Sequence, residues 1–142
     1  MKINPYLNFD GDAEEAFNFY KSVFGGEFSA LMKMSEAPGA EKLPKEEQNR
    51  VMHISLPIGK DIILMASDIM PSMGQTLKKG NTNYISLHPE SREAADRLFN
   101  GLSDGGEIEM PMEDQFWGDY FGSFTDKFGI NWMVNYNPEN AE

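Results

Sequence analysis

The first half of the chain has a hydrophobic pattern that predicts one strand, one helix and three further strands. Apolar and polar residues alternate in the later part of Ile3–Phe9, as they do in a half-buried strand. After the Asp10-Gly11-Asp12 turn the apolar spacing becomes helical, and Gly25-Gly26 is expected to end the helix because glycine accepts left-handed geometry. The apolar stripe of this helix consists of Ala13, Ala16, Phe17, Tyr20, Val23 and Phe24.

The helix is expected to begin at Asp12, with three strands after it. The Asp12 carboxylate is expected to cap the first backbone amides, and Glu15 stands where a capping box places an acid. A polar loop separates the first of these strands from the other two, which are joined by a tight turn at Gly59-Lys60. The predicted strands are Glu27–Met34, Val51–Ile58 and Asp61–Ser67.

The second half repeats this order of elements. A strand is predicted at Asn83–His88, and Ser91 is expected to cap a helix with Ala94, Ala95, Leu98, Phe99 and Leu102 as its apolar stripe. The sequence Gly105-Gly106-Glu107 then echoes Gly25-Gly26-Glu27. Self-similarity at nearly half the chain length indicates an internal repeat. The last two predicted strands are Tyr120–Asp126 and Ile130–Tyr136.

The repeat predicts an α+β fold of two βαβββ modules. We expect a curved mixed or antiparallel sheet with helices on its outer face, and an inner face lining a cavity of the kind that small molecules occupy. The 142 residues are predicted to form a single domain over residues 1–142. Within it, module 1 is placed at about 1–70, a linker at about 71–81 and module 2 at about 82–138.

Composition and charge exclude several classes of protein. Hydrophobic residues make up 40% of the chain, which is enough for a folded core. Only 12 Lys and Arg stand against 23 Asp and Glu, so a nucleic-acid partner is not expected, because binding phosphate requires cations. The absence of Cys excludes disulfides and thiolate zinc sites. No apolar run predicts a signal peptide or a membrane partner, and a cytoplasmic location is the expectation.

Three segments carry a family resemblance. They resemble the PhnB-like branch of the glyoxalase/bleomycin resistance/dioxygenase superfamily, also called the vicinal oxygen chelate (VOC) superfamily. The resemblance implies the paired βαβββ fold of that superfamily and a homodimer. The segments are Asn4–Phe9 with Ala16–Tyr20 and Val23–Gly26, then Val51–Ile54 with Ile63–Asp68, and finally Met110–Met112 with Phe116–Gly122 and Thr125–Trp132.

The resemblance also implies where metal-using relatives place their ligands, one on each of several strands. In this chain those positions fall on Pro5, near Leu64, on Asn83 or Tyr84, and near Met133. No shift of one residue assembles the His and carboxylate set that zinc, iron or manganese prefers. We therefore predict no metal ligands and no cofactor.

The candidate ligand-binding residues are expected to lie on the inner face of the sheet. His53, Met65, Tyr84 and Met133 are predicted to line it, with Trp117 at its edge. His53 is the one candidate for a general acid or base, although a partly buried, hydrogen-bonded histidine fits the same pattern. The Trp117 cluster equally suits packing between modules or a dimer seam, and the many methionines equally suit a core.

The predicted function is the binding of an unidentified small organic molecule in the cavity of the sheet, without a metal. Two alternatives stay open at this point. One is a metal-dependent lyase, isomerase or dioxygenase of the same superfamily. The other is a dimeric interaction module without a ligand. Whether the protein is an enzyme is also left open.

Overall fold

The structure, a computed structural model, describes residues 1–139 and contains two βαβββ modules. The predicted two-module α+β fold is confirmed. The chain divides into two compact units at Lys78–Lys79, and each unit contains one module. Unit 1 contains β1 (Tyr6–Phe9), α1 (Ala13–Phe24), β2 (Ala30–Lys33), β3 (Val51–Gly59) and β4 (Ile62–Asp68). Unit 2 contains β5 (Ile85–Leu87), α2 (Arg92–Ser103), β6 (Glu107–Asp114), β7 (Tyr120–Thr125) and β8 (Asn131–Tyr136).

The strands pair as two mixed sheets of four. The order is β1-β4-β3-β2 in sheet 1 and β5-β8-β7-β6 in sheet 2. In each sheet the first strand pairs with the last in parallel, and the other pairs are antiparallel. In the described part of the chain, no helix is long and apolar enough to cross a membrane.

Helix α1 covers one face of sheet 1, where it packs on β3 and β4. The alternating residues Ile54 and Leu56 of β3, and Leu64 and Ala66 of β4, are fully buried there. Because neighbouring side chains on a strand point to opposite faces, the residues between them lie on the other face. We call the face of each sheet that points away from its own helix the distal face.

The start of α1 differs from the expectation. The Asp12 side chain makes no cap hydrogen bond, so the predicted capping role of Asp12 is wrong. Instead, Asp68 Oδ1 accepts from the backbone N–H groups of Gly11 and Ala13 at 2.9 and 3.0 Å. Asp68 Oδ2 accepts from Val51 N at 2.8 Å. One buried carboxylate at the end of β4 therefore holds both the start of α1 and the start of β3.

In unit 2 the predicted cap is confirmed, since Ser91 Oγ accepts from Ala94 N at 3.0 Å. A second buried carboxylate, Asp126, accepts at Oδ1 from Phe128 N and Ile130 N, and at Oδ2 from the indole N–H of Trp132. These bonds shape the turn between β7 and β8. The core beneath α2 contains Ala95, Phe99, Leu102, Phe124, Trp132 and Val134.

Candidate functional site

The distal face of sheet 1 carries a tyrosine–histidine pair. Tyr6 pairs with Met65 across β1 and β4, and Met65 lies between the helix-facing residues Leu64 and Ala66. His53 likewise precedes the helix-facing Ile54. The hydroxyl of Tyr6 lies 3.5 Å from His53 Nδ1, and the two rings are tilted by 32° with centroids 6.0 Å apart. The Tyr6 ring therefore reaches across β4 to β3.

Methionines lie next to both residues of this pair. Met32 stands directly opposite His53 in the antiparallel pairing of β2 and β3. Met65 stands beside Tyr6 on one side and opposite Ser55 on the other, on the strand between those that carry Tyr6 and His53. Ser55 shares a 2.7 Å hydrogen bond between hydroxyls with Ser29. The half-exposed Tyr6 and the partly buried His53 thus each have a thioether on the neighbouring strand.

The distal face of sheet 2 carries a different pair. Met133 lies between Ser86 and Ser123 in the strand register, and alternation places Tyr84 on the same face as Ser86. The Tyr84 hydroxyl donates to the Glu109 carboxylate, with both oxygens at 2.9 Å. Since β5 and β6 are the two edges of sheet 2, the Tyr84 and Glu109 side chains together link these two edges.

Glu109 keeps Tyr84 in its neutral form. The hydrogen bond to Glu109 raises the pKa of the Tyr84 phenol above its ordinary value of 10.0, with smaller contributions from burial and from the negative charge of Glu109. A phenolate at this position would face a carboxylate at hydrogen-bonding distance. Tyr84 is therefore a hydrogen-bond donor at any physiological pH.

Trp117 lies in the turn between β6 and β7, together with Phe116. Its indole N–H donates to Asp119 Oδ2 at 3.0 Å, and its ring packs edge-on against Phe116 with centroids 4.9 Å apart. Phe116 is 98% exposed and Trp117 is 52% exposed. We call these two residues the aromatic tip.

The aromatic tip and Tyr84 are at opposite ends of sheet 2. Tyr84 follows Asn83, whose carbonyl accepts from Asn131 at the first residue of β8. Asp119, beside the tip, accepts instead from Asn137 just past the end of β8. At about 3.3 Å per residue, strand β8 separates these two ends by roughly 17 Å.

The predicted site residues therefore form two groups, one in each unit. His53 and Met65 share the distal face of sheet 1, whereas Tyr84 and Met133 share that of sheet 2. Sequence reasoning did not select Tyr6, Met32 or Glu109. Tyr6 could have been selected from the alternation along β1, which places Tyr6 on the same face as Asn8, two residues later. The partnership of Glu109 with Tyr84 has no local signal, since 25 residues separate the two.

Comparison with known proteins identifies the family. A family model described as the Glyoxalase/Bleomycin resistance protein/Dioxygenase superfamily matches residues 2–134. The chain belongs to this superfamily. The strand order of its two modules agrees with that membership.

Several relatives of this VOC chain match it over almost its whole length. Protein YjdN of Escherichia coli (strain K12) is 35% identical over 144 residues, which cover 95% of each protein. The crystal structure of protein PA1353 from Pseudomonas aeruginosa is 38% identical with a TM-score of 0.85, covering 96% of this chain and 98% of that one. The PhnB protein from Bacillus cereus is 27% identical with a TM-score of 0.77, covering 96% and 99%. The predicted PhnB-like resemblance is confirmed.

The residues at the positions of the superfamily's metal ligands do not fit a metal of the usual kind. Leu64, near which the family resemblance places one ligand, is fully buried on the helix side of sheet 1. On the distal faces the register instead offers Tyr6 and Met65 in one unit, and Ser86 and Met133 in the other. Zinc, iron and manganese favour imidazole and carboxylate ligands. Among residues 1–139, no three His, Cys, Asp or Glu side chains converge on a common point.

Proposed function

We propose that this VOC protein binds a small organic molecule on the distal faces of its sheets, through its own side chains and without a metal. The observation that carries the proposal is the Tyr6–His53 pair, with Met65 beside Tyr6 and Met32 opposite His53. A few polar groups set in an apolar surface are the usual chemistry of a small-molecule site. Methionine suits such a surface because its flexible thioether adapts to ligands of different shape.

The binding residues in this proposal are His53 and Met65 in unit 1, Tyr84 and Met133 in unit 2, and Trp117 in the turn at the opposite end of sheet 2 from Tyr84. The hydroxyl of Tyr84 and the carboxylate of Glu109 offer polar contacts beside Met133. His53 is the one residue of this set whose side chain is a common general acid or base. The proposal therefore gives the protein a binding role and leaves any catalytic step to His53.

Elemental analysis of protein purified without an affinity tag tests the metal-free part of this proposal. A thermal-shift titration with Ni, Mn, Fe(II) and Zn accompanies it. We expect no stoichiometric metal and no stabilisation, because tyrosine, serine and thioether groups bind these ions poorly. One tightly held metal per chain would contradict the proposal and favour a metal-dependent lyase, isomerase or dioxygenase.

The aromatic tip supports a second candidate function, that of a dimeric interaction module. Phe116, which is 98% exposed, and the half-exposed Trp117 are in contact, and neighbouring exposed aromatic rings of this kind favour an interaction surface. Hydrogen bonds hold the turn that carries it, since Gln115 N donates to Asp119 O at 2.8 Å and Gly118 N donates to Gln115 O at 3.0 Å. A rigid aromatic contact loses little side-chain entropy on binding, which suits an interface. A homodimer is therefore also proposed.

A further inference from the structure

We propose that Tyr6 and His53 together bind an oxygen atom of a flat, conjugated ligand, such as an aromatic ketone. This inference rests on the proposed small-molecule function and names the class of ligand. The Tyr6 hydroxyl and the His53 ring approach the same point on the distal face of sheet 1 from β1 and β3. A carbonyl oxygen at that point accepts a hydrogen bond from the Tyr6 hydroxyl and a second one from an imidazole N–H.

The distance between the two groups leaves room for this third atom. At 3.5 Å, the contact between Tyr6 Oη and His53 Nδ1 is longer than the usual 2.7 to 3.0 Å or so of a strong hydrogen bond to a hydroxyl. The phenol is 48% exposed, so ordering a ligand there displaces water rather than protein. The hydrogen-bonding capacity of both groups is thus only weakly used by the protein itself.

The tyrosine at the corresponding place in unit 2 provides an internal comparison. Tyr6 precedes Leu7, which pairs with Ala66 of β4, and Tyr84 precedes Ile85, which pairs with Trp132 of β8. Tyr84 already donates to Glu109 at 2.9 Å. The hydroxyl of Tyr84 is therefore engaged by a charged acceptor, whereas that of Tyr6 has a long contact with an imidazole. A tyrosine hydroxyl is thus held by a carboxylate in sheet 2, whereas in sheet 1 it is available to a ligand.

The neighbours of the pair define the rest of the ligand. Met32 lies opposite His53 and Met65 lies beside Tyr6, so each member of the pair has a thioether on the neighbouring strand. Sulfur–aromatic contacts and ring stacking favour a planar, polarisable molecule. The polar residues that the register places beside them on this face, Asn8, Ser55 and Ser67, are uncharged, so an acceptor oxygen meets no carboxylate among them.

Two probes of matched shape test this inference. They are 2-acetylnaphthalene, which carries a carbonyl oxygen, and 2-ethylnaphthalene, which lacks it. Calorimetric titration of the full chain is expected to give about tenfold tighter binding of the ketone, since the two hydrogen bonds together correspond to roughly that factor. Tyr6→Phe leaves the imidazole N–H as the one donor of the pair and is expected to reduce this preference to about threefold, while leaving the affinity for 2-ethylnaphthalene unchanged.

Tyr136→Phe is the matched control, because it makes the same change at a strand tyrosine of unit 2 that is not among the proposed binding residues, and it is expected to retain the preference. Thermal melting of each variant shows whether it is folded, and His53→Leu gives a second test if Tyr6→Phe fails to fold. If both probes bind wild type equally, oxygen recognition by the pair is wrong although the proposed binding function stands. The same conclusion follows if Tyr136→Phe lowers the preference as much as Tyr6→Phe does. If neither probe binds at its solubility limit, the inference is overturned and the proposed function loses its support.

Discussion

In this protein, a hydrogen bond between a carboxylate and a hydroxyl group can shift the pKa of one of the two partners. Glu109 and Tyr84 form one such pair, and the acid at Glu109 raises the pKa of the phenol. We expect Glu109→Gln to lower the pKa of Tyr84, because a neutral amide removes the negative charge and weakens the hydrogen bond. Absorbance at 295 nm during an alkaline titration measures this change.

The Tyr84→Phe variant identifies which phenol in that titration is Tyr84. This control is needed because Tyr120, which donates to Asp96 at 2.5 Å, also has a raised pKa. An alkaline titration curve that Glu109→Gln leaves unchanged would show that Glu109 does not control Tyr84 in solution.

The buried Glu47 carboxylate forms a second pair of this kind. It accepts from the backbone N–H of Ser72 at 2.8 Å and from the Ser72 hydroxyl. The hydroxyl and then the N–H of Ser72 lower the pKa of Glu47 below its ordinary value of 4.5. A carboxylate with a lowered pKa in the folded state contributes stability above the unfolded value, and that contribution is lost as the pH falls through the folded value.

We therefore expect Glu47→Gln to reduce the free energy of unfolding at pH 7, and the difference from wild type to shrink as the pH falls below about 4.5. Urea unfolding between pH 7 and pH 3 measures both quantities. Glu46→Gln makes the same change of charge at the exposed neighbour and is expected to have little effect. An equal loss in the two variants would mean that net charge, rather than the Ser72 contact, is responsible.

At the scale of elements, Asp68 joins three of them through its side chain. Its partners are the backbone N–H groups of Gly11, Ala13 and Val51, which belong to the start of α1 and the start of β3. Asp68→Ala leaves the buried donors of Ala13 and Val51, and the more exposed donor of Gly11, without their acceptor. Each buried donor costs about 1–3 kcal/mol, so we expect a loss of about 2 kcal/mol or more in urea unfolding.

Asp12→Ala is the control for Asp68→Ala, because Asp12 is the residue that a helix-capping pattern selects. Its side chain makes no cap hydrogen bond, so the loss is expected to stay below about 0.5 kcal/mol. A larger effect of Asp12→Ala than of Asp68→Ala would reverse this assignment of the cap.

The helices and strands could be predicted from periodicity, because each one is a local pattern. The cap of α1 could not, since its acceptor Asp68 is 55 residues away from Ala13. Strand register could not be fixed either, and one residue decides which face a side chain takes. The family resemblance implied a ligand position near Leu64, which is buried against α1, whereas its neighbour Met65 lies on the distal face. The candidate site depends on that one-residue difference.

At the scale of the whole molecule, the aromatic tip has two proposed roles, one in ligand binding and the other in a contact between subunits. We expect Trp117→Ala to weaken ligand binding without unfolding the protein, because the ring is half exposed and its loss leaves no buried cavity. A thermal-shift screen of small aromatic molecules against wild type, followed by titration of each hit against Trp117→Ala, measures the first effect, and thermal melting of the variant measures the second.

Phe116→Ala at the same tip separates the two roles, because Phe116 is almost entirely exposed. If the tip is a dimer contact, both variants are expected to shift a dimer toward monomer in light scattering at micromolar concentration. A dimer that both variants leave intact would remove the support for the dimeric interaction module. The net charge of −11 would then favour separate molecules over association through this tip.

The parallel pairing of the first strand with the last in each sheet affects how the chain is made on the ribosome. Strand β1 leaves the exit tunnel first, yet its hydrogen-bonding partner β4 is the last strand of its sheet. The Asn4 side chain, just before β1, accepts a hydrogen bond from the backbone N–H of Ile63, which is synthesised 59 residues later. At about 5–20 residues per second, β1 remains unpaired for several seconds. The same delay recurs between β5 and β8, so a nascent chain shows unsatisfied strand edges twice during its synthesis.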